Sequence, residues 1–148
     1  MKGKVILASY YDVESYKDYD IVVNIARGNM EFNGKPIPKR IALAPSQNLF
    51  KWYQANKNNE GWFDEYKKVY LNELKNNKVA LDMLTNMRKV LDSGKDICLL
   101  CFCKSSTNCH RGILGDLFKA KGYEVDYGVT NEFLGFYKYI SGESYYSK

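Results

Sequence analysis

Four short apolar runs, each bounded by polar residues, predict the strands of a sheet. The first two are Lys4–Tyr10 (KVILASY) and Asp20–Ala26 (DIVVNIA). Asp96–Cys103 (DICLLCFC) is almost continuously apolar, which is typical of a strand that is covered on both faces. Tyr123–Tyr127 (YEVDY) is predicted to be the last strand.

Helical periodicity marks four further stretches of the chain. Ser46 precedes the first stretch and is predicted to cap it, because its hydroxyl can accept a hydrogen bond from a first-turn N–H. Apolar residues recur at helical spacing in Gly61–Leu74 and again in Val79–Leu91. The last helix is predicted to begin at Asn108 and to end at Gly122.

The remaining segments are predicted as short or irregular structure. Val13–Tyr19 has the length of a short helix. Arg27–Lys39 is predicted to be a loop because it contains two glycines and two prolines. Ile41–Ala44 is predicted to be a short extended piece.

Strands that alternate with helices indicate an α/β fold, a single compact domain with a mainly parallel sheet and flanking helices. The 148 residues fit one domain, 1–148, with an aromatic-rich C-terminal tail from about residue 130. No apolar run approaches the roughly 20 residues of a membrane helix. The apolar run after Lys4 is too short for a signal peptide. We therefore expect a cytoplasmic protein without a membrane partner.

The net charge of +5 favours anionic partners such as a nucleotide or nucleic acid. Lysines and arginines are scattered among acidic residues, so an ordinary mixed surface is the alternative. The 13 tyrosines permit stacking on bases, and they equally suit the boundary of a core, with the ring buried and the hydroxyl in water. A tyrosine-rich surface that binds another protein is a further alternative.

All cysteines of the chain lie in one short segment, at Cys98, Cys101, Cys103 and Cys109. A disulfide framework would distribute them to connect distant elements. The clustering leaves three alternatives, namely core thiols, a reactive site or a metal site. It also suits a reducing compartment.

The segment from Cys101 to Arg111 is the candidate site. It runs from the carboxyl end of a buried strand into a helix N terminus, a place where α/β proteins bind ligands and anions. Cys109 is the candidate nucleophile and His110 its proton carrier, whereas Arg111 would clamp an anion. The alternatives are a core thiol, an imidazole that caps a carbonyl, and an arginine paired with an acidic side chain. The loop residues that would contact the ligand are Ser105, Ser106, Thr107 and Asn108.

Zinc is an alternative for the same segment, since Cys101, Cys103, Cys109 and His110 are all possible ligands. On a straight strand the C-x-C spacing would place two sulfurs roughly 6 to 7 Å apart, which is long for one ion. We therefore predict no metal, no cofactor, and folding without zinc. A cysteine-phosphatase loop is excluded because no cysteine has an arginine six positions later.

Three motifs in order resemble the family called domain of unknown function 488, and its YeaO-like branch in particular. They are LLCFCK…CHRGIL (Leu99–Leu114), IALAPSQNLFKWY (Ile41–Tyr53) and WFDEYKKVYLNEL (Trp62–Leu74). The resemblance implies a compact α/β domain and supplies no reaction. Many members carry an acidic residue where this chain has Cys103, so no role of that carboxylate transfers to this chain.

Arg27 follows the second predicted strand, where the family commonly has an arginine. With Lys39, Arg40 and Ser46 it is predicted to face Arg111 across the sheet edge, and a loop held by ordinary ion pairs is the alternative. We therefore predict a domain that binds, and possibly acts on, a phosphate-bearing ligand at the site from Cys101 to Arg111.

Overall fold

Strands and helices alternate along residues 1–128, the part of the chain that this computed structural model describes; the tail predicted from about residue 130 lies outside it. The strands are β1 (Val5–Ser9), β2 (Val22–Asn24), β3 (Glu31–Phe32), β4 (Lys35–Pro36), β5 (Ile97–Cys101) and β6 (Val125–Asp126). The helices are α1 (Gln47–Asn56), α2 (Trp62–Lys75), α3 (Lys78–Asp92) and α4 (His110–Ala120). None of these helices is long and apolar enough to cross a membrane.

The main sheet has four parallel strands in the order β2-β5-β1-β6. The most apolar strand of the sequence, β5, lies between β1 and β2, and all of its residues are buried. A strand with neighbours on both edges and cover on both faces has no polar surface, which accounts for its composition. The predicted α/β fold with a mainly parallel sheet is confirmed.

The two faces of this sheet are covered differently. Val5, Leu7 and Leu99 belong to a core that includes buried residues of all four helices. On the opposite face, Ile6 and Cys98 pack in a second core, with cover from residues before α1, namely Tyr16, Met30 and Ile37. The helices therefore cover one face, and short irregular segments cover the other.

The helix boundaries follow local chemistry. The Ser46 hydroxyl accepts a hydrogen bond from the Leu49 N–H at 3.1 Å, so the predicted cap of α1 is confirmed. The Asn77 side chain caps α3 in the same way. After α4, Gly122 adopts a φ of +92°, a left-handed conformation that glycine tolerates and that ends the helix.

The predicted loop between Arg27 and Lys39 contains a small hairpin, so that prediction was incomplete. Strands β3 and β4 pair antiparallel, and Asn33 and Gly34 between them have positive φ angles of 53° and 76°. Asn-Gly is a strong signal for such two-residue turns, because both positions need left-handed backbone. The two prolines of the segment concealed this signal.

Two short predicted elements differ from the structure. Val13–Tyr19 is not a helix; only a single 3-10 turn, Val13–Ser15, forms there, and the Ser15 hydroxyl donates to the Asp12 carbonyl instead of prolonging it. Ile41–Ala44 is not extended but begins with a 3-10 turn, Ile41–Leu43. The Tyr70 hydroxyl donates to the Leu43 carbonyl at 2.5 Å and satisfies a group that this turn leaves free.

Candidate functional site

The segment that carries the candidate chemistry leaves the sheet at Cys101, the last residue of β5, and enters α4 at His110. The helix does not begin at Asn108 as predicted, because Asn108 has a φ of 58°, outside the helical region. Cys109 is the residue immediately before the helix, and its side chain makes no capping hydrogen bond. The first N–H groups of α4 are thus without a side-chain cap, unlike those of α1 and α3.

Three thiols lie together at this strand end. The Sγ atoms of Cys101, Cys103 and Cys109 are all within 4.8 Å of one another, and those of Cys101 and Cys109 are 3.6 Å apart. The larger separation that we predicted for the C-x-C pair was wrong. Strand β5 ends at Cys101, so Cys103 does not continue the straight pleat and its sulfur reaches back toward the other two.

His110 is held in one orientation against these sulfurs. Its Nε2 lies 2.7 Å from the Ile25 carbonyl oxygen, so this nitrogen carries the proton and donates it. The other ring nitrogen, Nδ1, lies 4.0 Å from the Cys101 Sγ and 3.9 Å from the Cys109 Sγ. The alternative that His110 caps a carbonyl is confirmed, and the ring also faces the thiols.

The thiols have unequal acidities. The Cys103 and Cys109 thiols, as hydrogen-bond donors, hold the pKa of Cys101 well below its usual value against the opposing effect of burial. The same contact with Cys101 raises the pKa of Cys103 to about 11 and that of Cys109 well above its usual value. The contact among the three thiols therefore favours the thiolate form at Cys101 and the thiol form at Cys103 and Cys109.

Arg111 points into the protein and is 1% exposed. One of its terminal nitrogens donates to the carbonyls of Ala8 and, at 3.2 Å, of Cys103, and its Nε donates to the Ser106 hydroxyl at 3.2 Å. No carboxylate of residues 1–128 lies within ion-pair distance of it. The guanidinium thus connects the end of β1, the loop and α4, and its charge has no acidic partner in the described part of the chain.

The three basic residues of the second predicted cluster donate to main-chain carbonyls. Arg27 donates to the Pro45 carbonyl at 3.1 Å, and Lys39 donates to the Arg27 carbonyl at 2.9 Å. Arg40 is exposed and contacts the Lys39 carbonyl. The Ser46 hydroxyl and N–H both donate to the Glu73 carboxylate. None of these four residues makes a hydrogen bond with Arg111. The second cluster and the segment from Cys101 to Arg111 are therefore not connected through a direct hydrogen bond to that arginine.

A cavity of about 300 Å³ lies beside the start of α4. Three of the predicted ligand-contacting residues, Ser106, Thr107 and Asn108, line it. Ser105 does not, and its hydroxyl instead accepts from the Thr107 N–H at 3.0 Å and shapes the loop. The remaining lining residues are Phe63, Lys67, Gly112, Ile113, Asp116 and Tyr127.

Sequence reasoning missed the contribution of α2 to this cavity. Phe63 and Lys67 are four residues apart and so lie on one face of the helix, which is the only signal that the sequence carried. Nothing in the sequence indicated that this face would lie opposite Asp116 of α4. Helix α2 packs against α4, and that packing brings the two faces together.

Residues 38–122 match the model of a family described as the active DUF488-N3 subclade. The match spans more than half of the 148 residues. The chain belongs to the DUF488 family. Neither the curated proteins nor the solved structures contain a match to it.

The matched part of this DUF488 domain contains β5, the four helices and the whole segment from Cys101 to Arg111. It leaves out β1 and β2, although both pair with β5. Assignment to the YeaO-like branch stays a prediction. Cys103, where the resemblance led us to expect an acidic residue, is one of the three clustered thiols.

Proposed function

We propose that this DUF488 domain binds a phosphate-bearing ligand the size of one nucleotide in the cavity beside α4. The observation that carries the proposal is the composition of the cavity wall, which combines hydroxyl and amide groups, one lysine and two aromatic rings around about 300 Å³. Ligand sites are typically apolar clefts with a few convergent polar groups, and this volume is near their lower limit. This volume suits a mononucleotide or the terminal nucleotide of a nucleic-acid strand.

The phosphate would lie at the polar side of the cavity. Lys67 is exposed and forms no ion pair with the described residues, so its ammonium is available to an anion. Thr107 and Asn108 supply a hydroxyl and an amide directly before the uncapped N terminus of α4, whose dipole favours negative charge. The buried charge of Arg111 adds to the positive potential there.

The nucleoside would occupy the apolar side. Phe63, Ile113 and Tyr127 present two rings and an aliphatic chain, the surfaces that bases stack on. Asp116 accepts a hydrogen bond from the Tyr127 hydroxyl at 2.5 Å and has a second carboxylate oxygen that can accept from a sugar hydroxyl or a base amine. Asp116 would repel a phosphate, which favours one orientation of the ligand.

The proposal concerns binding, since Cys101, Cys109 and His110 do not line the cavity. A catalytic role of Cys109 and His110 stays a prediction, in line with the description of the matching subclade as active. The alternative of a tyrosine-rich docking surface gains no support from Tyr16, Tyr66 and Tyr70, which are buried in the cores. Free thiols suit a reducing compartment, and we propose the cytosol.

Calorimetric titration with AMP, GMP, CMP, UMP and inorganic phosphate at low salt tests this function. We expect at least one nucleotide to bind, and Lys67→Ala to weaken its binding about tenfold, because one charged hydrogen bond contributes about 1.5 kcal/mol or more. Lys68→Ala is the matched control. It removes a neighbouring lysine that already contacts Glu65 at 3.7 Å and that does not line the cavity.

Two results would contradict the proposal. One is the absence of heat or a thermal shift with all five ligands. The other is an equal loss of affinity in Lys67→Ala and Lys68→Ala. That result would mean that the affinity for the nucleotide depends on the net charge of the protein and not on contacts in the cavity.

A further inference from the structure

Three sulfurs lie together at the end of β5, and the His110 imidazole contacts two of them, those of Cys101 and Cys109, outside the cavity proposed for the nucleotide. In a tetrahedral zinc site, metal–ligand distances of about 2.3 Å to sulfur and about 2.0 Å to nitrogen imply sulfur–sulfur separations of about 3.8 Å and sulfur–nitrogen separations of about 3.5 Å. The Cys101 and Cys109 sulfurs are 3.6 Å apart, and the His110 Nδ1 lies 4.0 and 3.9 Å from them. The Cys103 sulfur is within 4.8 Å of both.

We propose that Cys101, Cys103, Cys109 and His110 bind a single zinc ion. This site is independent of the nucleotide proposal, since none of the four residues lines the cavity. It replaces two expectations from the sequence. One is that no metal binds, which depended on a straight strand through Cys103, and the other is that Cys109 and His110 act in catalysis.

The orientation of His110 supports metal coordination. Ligating histidines generally donate their second ring N–H to a carboxylate or a main-chain carbonyl, which fixes the tautomer and aims the other nitrogen at the metal. The His110 Nε2 donates to the Ile25 carbonyl at 2.7 Å, and Nδ1 is directed at the sulfurs.

The charge of the surroundings supports it as well. Three thiolates and a neutral imidazole around Zn²⁺ carry a net charge of −1. Arg111 is 1% exposed, has no acidic partner among residues 1–128, and donates to the Cys103 carbonyl at 3.2 Å. The N terminus of α4, which begins at the ligand His110, adds a positive dipole end. An anionic metal site would give this buried guanidinium its countercharge.

Ligand chemistry identifies the metal. Thiolates with one imidazole in tetrahedral arrangement select zinc over hard cations such as Mg²⁺ or Ca²⁺. Four protein ligands leave no open position, which is characteristic of a structural and not a catalytic zinc. The ion would connect the end of β5 to the start of α4 and so fix the intervening loop, from which Ser106, Thr107 and Asn108 line the cavity.

Metal analysis of the full chain, purified without chelator, tests the proposal. We expect about one zinc per chain. Replacing zinc by Co²⁺ should give the thiolate-to-cobalt charge-transfer band and the intense visible bands of tetrahedral cobalt. Cys103→Ser should lower zinc affinity at least tenfold, and the partial exposure of Cys103 makes this the mildest ligand variant. Cys98→Ala, which changes a buried cysteine outside the cluster, should still hold one equivalent.

Zinc well below one equivalent together with a Co²⁺ titration that produces no charge-transfer band would overturn the proposal. Iron with acid-labile sulfide in place of zinc would also overturn it, and so would equal zinc loss in Cys98→Ala and Cys103→Ser. If Cys103→Ser does not fold, the cobalt spectrum of the unchanged chain decides the question alone.

Discussion

Arg111 illustrates at the scale of single residues how one sequence feature admits two roles. An arginine at a helix N terminus is unfavourable for the helix, because its charge meets the positive end of the dipole. A bound anion would offset that cost, and this was the role predicted for it. The structure shows that the side chain makes three hydrogen bonds to the interior, to Ala8, Cys103 and Ser106.

These hydrogen bonds predict a large loss of stability when the side chain is removed. Arg111→Ala leaves two buried carbonyls without their donor and a void in a packed region, and we expect the free energy of unfolding to fall by about 3–5 kcal/mol. Urea unfolding measures this change. Arg40→Ala is the control, since Arg40 is exposed, and it should change stability by less than about 0.5 kcal/mol. A loss below about 1 kcal/mol in Arg111→Ala would refute the structural role.

The grouping of the site residues could be predicted in part. The predicted strand ended at Cys103 and the predicted helix began at Asn108, so the sequence placed Cys101 and His110 close to the carboxyl end of the sheet. The position of Cys103 could not be predicted, because the residue at which a strand leaves its straight course depends on its neighbours. Nor could the contact between His110 and Ile25, which are 85 positions apart.

At the scale of elements, the loop before α4 is pressed against the helix at Gly112. A Cβ at this position would overlap the Ser106 carbonyl oxygen, and this atom belongs to the backbone of the loop. Glycine is therefore required here by close approach and not by an unusual φ. The same loop supplies three of the residues that line the cavity, so this contact links the packing of α4 to the proposed function.

We expect Gly112→Ala to destabilise the protein by about 1–3 kcal/mol and to weaken nucleotide binding, because the loop must move away from α4. Alanine itself favours a helix by about 1 kcal/mol over glycine, so any net loss reports the overlap. Thermal unfolding and calorimetry measure the two effects.

Gly115→Ala is the control within the same helix. Its Cβ would lie 2.7 Å from the Leu7 Cδ1, the flexible end of a side chain, so the loss should be smaller. A larger loss of stability in Gly115→Ala than in Gly112→Ala would contradict the expected overlap at Gly112.

Hydrogen bonds of Ser46 stabilise the start of α1. Ser46 caps the helix and also donates to Glu73 of α2, so it joins two helices. We expect Ser46→Ala to lower stability by about 1–2 kcal/mol in denaturant unfolding, from loss of the cap and of one charged hydrogen bond. Ser93→Ala at the exposed end of α3 should change it by less than about 0.5 kcal/mol. Equal effects would argue against the cap.

At the scale of the whole molecule, the sequence predicted the class of fold better than its arrangement. The apolar run of β5 and the periodic helices around Tyr66 and Leu84 are strong local signals, and they were confirmed. The placement of β5 between β1 and β2 depends on long-range pairing, which leaves no local trace. The division of cover between the two sheet faces likewise became visible only in the structure.

The two cores predict what removal of zinc does to the molecule. The larger core, with Leu43, Tyr70 and Leu91, does not include the metal ligands. We therefore expect that a chelator which removes zinc without reacting with thiols lowers the melting temperature. The far-UV circular dichroism at 25 °C should be retained. Collapse of that signal on chelation would show that the fold depends on the metal, as it does in small zinc domains.

Site-resolved mapping of nucleotide binding tests the central claim most directly. In a ¹H–¹⁵N correlation spectrum titrated with AMP, GMP, CMP or UMP, we expect saturable shifts that are concentrated at Phe63, Lys67 and the residues from Ser106 to Ile113. Saturable shifts centred elsewhere in the chain, with these amides unchanged, would contradict it.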